Sequence, residues 1–460
     1  LMTHVIDSEF YKHVYATDEM RDVFDPQRRL QRWLDIQAAL TTVQAIMGLV
    51  PKVDADKIVK CCDLGQLNFS PKSNDFCGSD QLFSSLMNAV KTECGNSAAD
   101  HVNLDAFAQD IQDTVTVLEI KDAYMIMLRD LLKIESILIP LIEKYKSQPM
   151  AGRTHKQHGP PITIGFKFAG FAAEIRREIE RMKDMHKRIF CGSLHGVSGT
   201  MLEGGAKAYE MYEALMDQLG LDVAPAGLGS ARDNIGEFQV ITGMIAGSVG
   251  RIVNEIYELS GSELSELHEP LSRTYVGSSA MPHKRNAEVC AFAVAQCRIV
   301  QQNTALGLQS MTGEHERDAR ALNLDLHNLP ETCVIMARAL AATIQTLDGI
   351  DVFEKNITRN LDALDGMLFS EALMFHLAPK IGKQTAHDII LFACKEAHDT
   401  QTPIKNVLLA HPEILNVATE ADFDEVMVYA KHIGKCVEQS DDVVRISREF
   451  SVNDHYFLQA

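Results

Sequence analysis

AQDIQDTVTVLEIKDAYMIMLRDLLKIESILIPLIEKYK, residues 108–146, places Ile111, Val115, Leu118, Met125, Leu128, Leu132, Leu138 and Leu141 at helical spacing. Only Pro140 interrupts the pattern. At about 1.5 Å rise per residue such a helix would be near 60 Å long, far above the usual length. Similar patterns recur at about 161–190, 232–260, 287–311 and 331–354, with polar connections between them. Helices of this length need one another to cover their apolar stripes, which predicts an all-α fold with a central elongated five-helix bundle. Apolar positions too numerous for one bundle, as between Ile241 and Val253, predict that helices also pack between copies of the chain.

Composition agrees. A chain of 460 residues invites two or three domains, and 28 Gly with 14 Pro leave room for long uninterrupted elements. The formal net charge of -19 argues against nucleic acid and anionic membranes as partners. Positive potential for an anionic substrate must then come from a few residues, among them Arg153, Arg232, Lys284 and Arg285. No apolar run of about 18 residues predicts a transmembrane helix, and no basic-then-apolar leader is visible at the N-terminus. Ten cysteines are scattered without a Cys-x-x-Cys pair, which fits a reducing cytoplasm better than a zinc ribbon or redox site.

Three regions are expected. Residues 1–107 form a mainly helical N-terminal domain, with a capped helix start at Thr17-Asp18-Glu19-Met20 and an amphipathic helix from Arg28 to Ile46. Residues 108–355 form the bundle. Residues 356–460 carry shorter helices broken at Gly382 and at His411-Pro412, and read as a small helical C-terminal domain.

Between the third and fourth long patterns lies Gly277-Ser278-Ser279-Ala280-Met281-Pro282-His283-Lys284-Arg285-Asn286. A glycine hinge, paired hydroxyls, a proline that opposes helix and a Lys/Asn pair suit a mobile catalytic segment. A Ser-Ser pair alone would more often be a surface turn. The whole loop, however, resembles the hallmark of the fumarase/aspartase superfamily, with Ala287 where a proline usually follows the asparagine. That resemblance implies a twenty-helix core in a homotetramer, with each site assembled from three chains.

The resemblance also implies roles. Ser278 would remove the proton beside a substrate carboxylate, and Ser279, Met281, Lys284 and Asn286 would hold the substrate. Gly152-Arg153-Thr154-His155-Lys156-Gln157 is similar to the superfamily's Thr-His-x-Gln segment, so Thr154 and Gln157 would bind substrate and His155 would protonate or orient the leaving group. Ser198, in His195-Gly196-Val197-Ser198-Gly199-Thr200, and Arg232, in Ser230-Ala231-Arg232-Asp233-Asn234, fall in further matching segments. Arg21 corresponds to an arginine that can face the site, and Gln109 belongs to the Gln-Asp-Ile segment.

Departures are as informative. Phe107 and Ala108 stand where Thr-Ser normally precedes Gln-Asp-Ile, so two hydroxyls are missing and the pocket should be more apolar. Gly313-Glu314-His315-Glu316-Arg317-Asp318 resembles a shared His-Glu-Arg-Asp core. The Ser-Ser-x-Glu-Arg element with which adenylosuccinate lyases help hold a phosphate is replaced by Leu322-Asn323-Leu324-Asp325-Leu326. The expected reaction is therefore an anti β-elimination that releases fumarate from a small succinyl adduct of an amine or thiol. Neither metal nor cofactor is expected, because the carboxylate itself stores the carbanion's charge. A 3-carboxymuconate cycloisomerase is the alternative; an adenylosuccinate lyase or an inactive structural relative ranks below it.

Overall fold

The computed structural model describes residues 4–70, 79–227, 229–271 and 280–457. The fold is all-α. Its central part is carried by five helices, Ala108–Tyr145, Ile164–Ile189, Asp233–Leu259, Glu288–Gln309 and Ala319–Leu347, called the first to fifth long helices. The first four lie within a few residues of the periodic pattern. The fifth begins at Ala319, well before the expected start after Pro330, and takes that proline inside it. Asp318 makes this possible: its Oδ1 accepts the Arg320 amide at 2.9 Å and caps the new end, so the helix loses only the bond that Pro330 cannot donate.

A second difference concerns residues 149–163, whose glycines and prolines read as a loop. They form a β-hairpin, β1 (Pro149–Thr154) antiparallel to β2 (Gln157–Thr163). The register shifts at Ala151/Gly152, where a side chain on Gly152 would begin 2.4 Å from the Pro160 carbonyl oxygen. Only glycine fits that bulge.

The chain forms two compact units. The first comprises residues 1–130, 178–250 and 292–341. Asp25 opens its helix Pro26–Ile46 by accepting the Gln27 and Arg28 amides, and Thr17 caps Asp18–Val23. Leu30, Trp33, Ile36, Phe83, Leu86 and Val115 share one buried cluster, in which Trp33 meets Phe83 edge-on at 5.6 Å. The third and fourth long helices approach closely through a seven-residue ladder. A Cβ on Gly236, Gly243 or Gly250 would fall 2.4, 2.1 and 3.1 Å from Met311, Thr304 and Cys297 respectively. Spacing by seven keeps all three glycines on one face, so the side chains of Met311, Thr304 and Cys297 pack directly on the backbone of the third helix.

The second unit comprises residues 131–177, 251–291 and 342–460. Helices Ser370–Ile381 and Lys383–Thr400 turn at Gly382, whose φ of 86° suits glycine, and bury Leu373, Leu377, Ile390 and Phe423 in one cluster. Arg176, itself buried, is held by Glu135 and Asp454. Among the described residues no helix is long and apolar enough to cross a membrane.

Burial also sets the state of the thiols, none of which is in a disulfide among the described residues. It pushes Cys62, Cys94, Cys290 and Cys297 up to about 12, and raises Cys191, Cys333, Cys394 and Cys436 as well.

Candidate active site

The start of the first long helix anchors a cavity in the first unit. Asp110, in the first turn, reaches back to accept the Phe107 amide at 3.2 Å, as an acidic residue at this position commonly does. The same carboxylate accepts the Ser193 hydroxyl at 2.7 Å and the amides of His195 and Gly196 at 2.9 and 3.0 Å. Four donors on one buried carboxylate fix the 193–196 turn against the helix. Gly196 has a φ of 77°, and a side chain there would strike Glu203.

These contacts define the His195 ring. Ser193 gives its only proton to Asp110, so its oxygen is an acceptor for Nδ1 of His195 at 3.3 Å, and Nδ1 carries the hydrogen. Burial lowers the His195 pKa against the opposing pull of Asp110 and the Ala224 carbonyl. Its Nε2 is buried without a hydrogen-bond partner among the described residues. Burial likewise lowers His158, His186 and His268. A histidine with a depressed folded pKa binds its proton more readily when unfolded. Its contribution to stability is full above about pH 6.5, the unfolded value, and is lost as pH falls toward the folded one. The unfolding temperature should therefore drop between pH 7.5 and 5.5; a flat profile over that range, followed by calorimetry, would refute it.

One turn along, Asp113 meets Arg232. The guanidinium donates to Asp113 Oδ1 at 3.1 Å through both terminal nitrogens and to Asp325 through Nε at 2.5 Å. Arg232 is 2% exposed. Burial alone would lower its pKa; Asp113 and Asp325 outweigh that and hold it above the ordinary value. Gln109 donates Nε2 to Asp113 and to the Gly229 carbonyl, both at 2.9 Å, and accepts Nε of Arg317 at 2.5 Å. Arg317 also donates to Asp80 at 3.0 Å, and its guanidinium lies 4.0 Å from the centre of the Phe107 ring. The resulting cavity, of about 140 Å³, is lined by Phe107, Gln109, His195, Ser198, Ser230 and Arg317, among others. A guanidinium, two hydroxyls and an aromatic ring can receive an anionic group beside an apolar one.

Two further groups lie in the second unit. Lys284, Arg285 and Asn286 line a cavity of about 690 Å³ with Ser265 and His268, whose Oγ and Nε2 are 3.0 Å apart. The segment is fixed at its far end. Arg285 donates to Asp351 at 2.6 Å and to the Glu269 carbonyl, while the Glu269 carboxylate accepts the Val289 and Cys290 amides at the start of the fourth long helix. Met281 accepts the Lys284 amide at 3.0 Å. Ser278 and Ser279 lie outside the described residues.

The hairpin carries Thr154, His155 and Gln157 at its exposed tip. Thr154 pairs with Gln157, so His155 and Lys156 form a two-residue turn with φ of 51° and 64°. Such turns favour Asn-Gly; two ordinary residues in the left-handed region are strained, and strain of this kind concentrates at functional sites. Arg153 is committed beneath the tip, donating to both oxygens of the buried Glu266 at 2.9 and 2.5 Å.

Gln109 and Ser198 thus share one cavity with Arg232 packed behind it. Lys284 and Asn286 share another. Arg21 lines neither: it donates to the Ile6 carbonyl at 2.5 Å beside a cavity rimmed by Asp18, Asp22 and Glu331. The sequence reading left out Ser193 and quoted Asp110 and His195 only within their segments, without a role; the two are 85 positions apart, and nothing in the chain order pairs them. Among the described residues no group of three or more His, Cys, Asp or Glu side chains is placed to hold a metal ion.

Long helices framing these clusters are the architecture of a lyase family, and the comparisons agree. Residues 12–301 match a family described as Lyase, and residues 366–443 match one described as Adenylosuccinate lyase C-terminus. The chain belongs to the fumarase/aspartase superfamily of lyases. It is 32% identical to N-acetyl-S-(2-succino)cysteine lyase of Enterococcus italicus, over 96% of this chain and 97% of that protein. It is 31% identical to the protein of the same name from Dickeya dadantii, over 97% and 98%. Among solved structures, 3-carboxy-cis,cis-muconate lactonizing enzyme from Pseudomonas putida superposes with a TM-score of 0.88 at 27% identity, over 96% and 100%.

Proposed function

We propose that the protein catalyses an anti β-elimination that splits a small succinyl adduct of a thiol or amine and releases fumarate. Ser278 takes the proton from the carbon beside one carboxylate, and the negative charge passes into that carboxylate, held by Lys284 and Asn286. The electron pair then forms the carbon–carbon double bond as the bond to sulfur or nitrogen breaks. The leaving group departs with the bonding pair and takes a proton, which His155 would supply. Ser279, Met281, Thr154, Gln157, Ser198, Gln109 and Arg21 would contact the substrate. Arg232 would act from behind by holding Asp113.

The make-up of residues 322–326 carries the choice of a small adduct over a nucleotide. At the segment where relatives bring hydroxyls and a guanidinium to a phosphate, this chain places Leu322, Leu326 and a buried carboxylate bound to Arg232. No side-chain hydroxyl or guanidinium remains in that segment to bind a phosphate. The succinylcysteine lyase relatives support the same substrate class. The resemblance to the muconate enzyme favours a second reading, cycloisomerisation with an internal carboxylate as nucleophile or leaving group.

Assembly as a homotetramer with a twenty-helix core, with sites built from three chains in a cytoplasmic enzyme, belongs to the same proposal. Fumarate release, followed by ultraviolet absorbance over N-, S- and O-succinyl compounds, tests it. Turnover of at least one member is expected. Silence on all of them with activity on 3-carboxymuconate would replace the first reading with the second.

A further inference from the structure

His195 brings an unused acceptor to the cavity at the first long helix. The residue is 4% exposed, and its Nε2 has no hydrogen-bond partner among the described residues. Nδ1 carries the ring hydrogen, because the Ser193 hydroxyl gives its proton to Asp110. Nε2 is therefore a bare lone pair, and burial keeps the ring neutral at pH 7.5.

The surrounding groups offer this lone pair no donor. Tyr212 packs edge-on against the ring at 4.7 Å, but its hydroxyl donates to the Gly192 carbonyl and accepts the Ala224 amide. The His195 and Gly196 amides are taken by Asp110. Ser198 and Ser230 line the same cavity with their hydroxyls outside hydrogen-bond reach of Nε2. A buried acceptor in this state is unfavourable, and a ligand that carries a donor relieves it.

The cavity also holds a cation. Arg317 donates Nε to Gln109 and one terminal nitrogen to Asp80, which leaves its other terminal nitrogen, among the described residues, to meet an anion. Glu316 stands at the exposed rim, where water screens its charge. At about 140 Å³ the space is near the size at which an apolar cavity takes benzene, so the ligand group is small.

We propose that this cavity is a binding site for a small carboxylate that carries an N–H or O–H donor beside it, the donor going to Nε2 of His195 and the carboxylate to Arg317. Ser198 and Ser230 can donate to the same carboxylate. The proposal goes beyond the elimination reading and does not depend on it, since it concerns what the cavity holds and not which bond breaks.

Calorimetric titration of the full chain at pH 7.5 with N-acetylglycine and with acetoxyacetate tests it, because the two probes differ only in an N–H replaced by an ester oxygen. N-acetylglycine should bind at least about tenfold more tightly, since the ester sets a lone pair against that of Nε2. His195→Phe keeps a ring against Tyr212 and removes the acceptor, and should bring the two affinities within about threefold. His195→Gln, whose amide oxygen can take the place of Nε2, should restore the preference. His195→Asn, which can keep the Ser193 contact but not the acceptor, stands in for the phenylalanine variant should that one fail to fold. Equal affinities in the wild type, or a preference for the amide that survives loss of the acceptor, overturns the proposal. So does binding of neither probe, which leaves Nε2 to water; the elimination, read from fumarate, stands or falls separately.

Discussion

Ser278→Ala should lower kcat for fumarate release by about a hundredfold to ten-thousandfold, the range that a positioned general base supplies, while thermal unfolding stays as in the wild type. A serine hydroxyl is a weak base and becomes competent only where its alkoxide is stabilised. Lys284 supplies positive charge on the same segment, and Arg285 and Glu269 fix that segment to the start of the fourth long helix. Equal kcat in the variant would remove Ser278 as the base and move the search to His155 and His268. Rapid-quench measurement of a single turnover is the decisive form, because slow product release would hide a loss in the chemical step.

Arg232→Ala should cost about 3–5 kcal/mol of stability at pH 7.5, measured by urea unfolding. The loss comes less from the missing attraction than from what stays behind: Asp113 and Asp325 would be two buried carboxylates without their shared cation. Both would gain by taking up protons, so the penalty should shrink as pH is lowered toward 5. Adding Asp113→Asn and Asp325→Asn should recover part of the loss. A single variant as stable as the wild type would mean that water reaches the cluster and that burial does not govern it.

Much of the architecture was legible because long helices write their period into the sequence. The first and third long helices begin at Ala108 and Asp233, where the apolar repeat starts. Pro330 misled the reading of the fifth, since a proline marks a missing donor but does not show whether a cap such as Asp318 upstream sustains the helix. The hairpin was hidden for a related reason. Gly152, Gly159, Pro160 and Pro161 suppress the alternation of a strand, yet the bulge at Gly152 accommodates them.

The site was legible in its residue types and not in its partnerships. Arg232 stood out as a cation suited to a substrate, but its charge is spent on two aspartates, one 119 and the other 93 positions away. Arg153 is spent on Glu266 in the same way. Cations in an acidic chain look available until the fold reveals which carboxylates reach them first. Phe107 is the opposite case: a departure visible in the sequence, whose stacking against Arg317 only the fold shows.

The raised thiol pKa values bear on survival in the presence of the proposed product. Fumarate is an electrophile, and a thiolate adds across its double bond to give the same succinyl thioether that the elimination would split. Protonated, buried sulfur is a poor nucleophile. Held in that form, Cys62, Cys290, Cys297 and Cys333 would be slow to be alkylated by the fumarate of the proposed reaction.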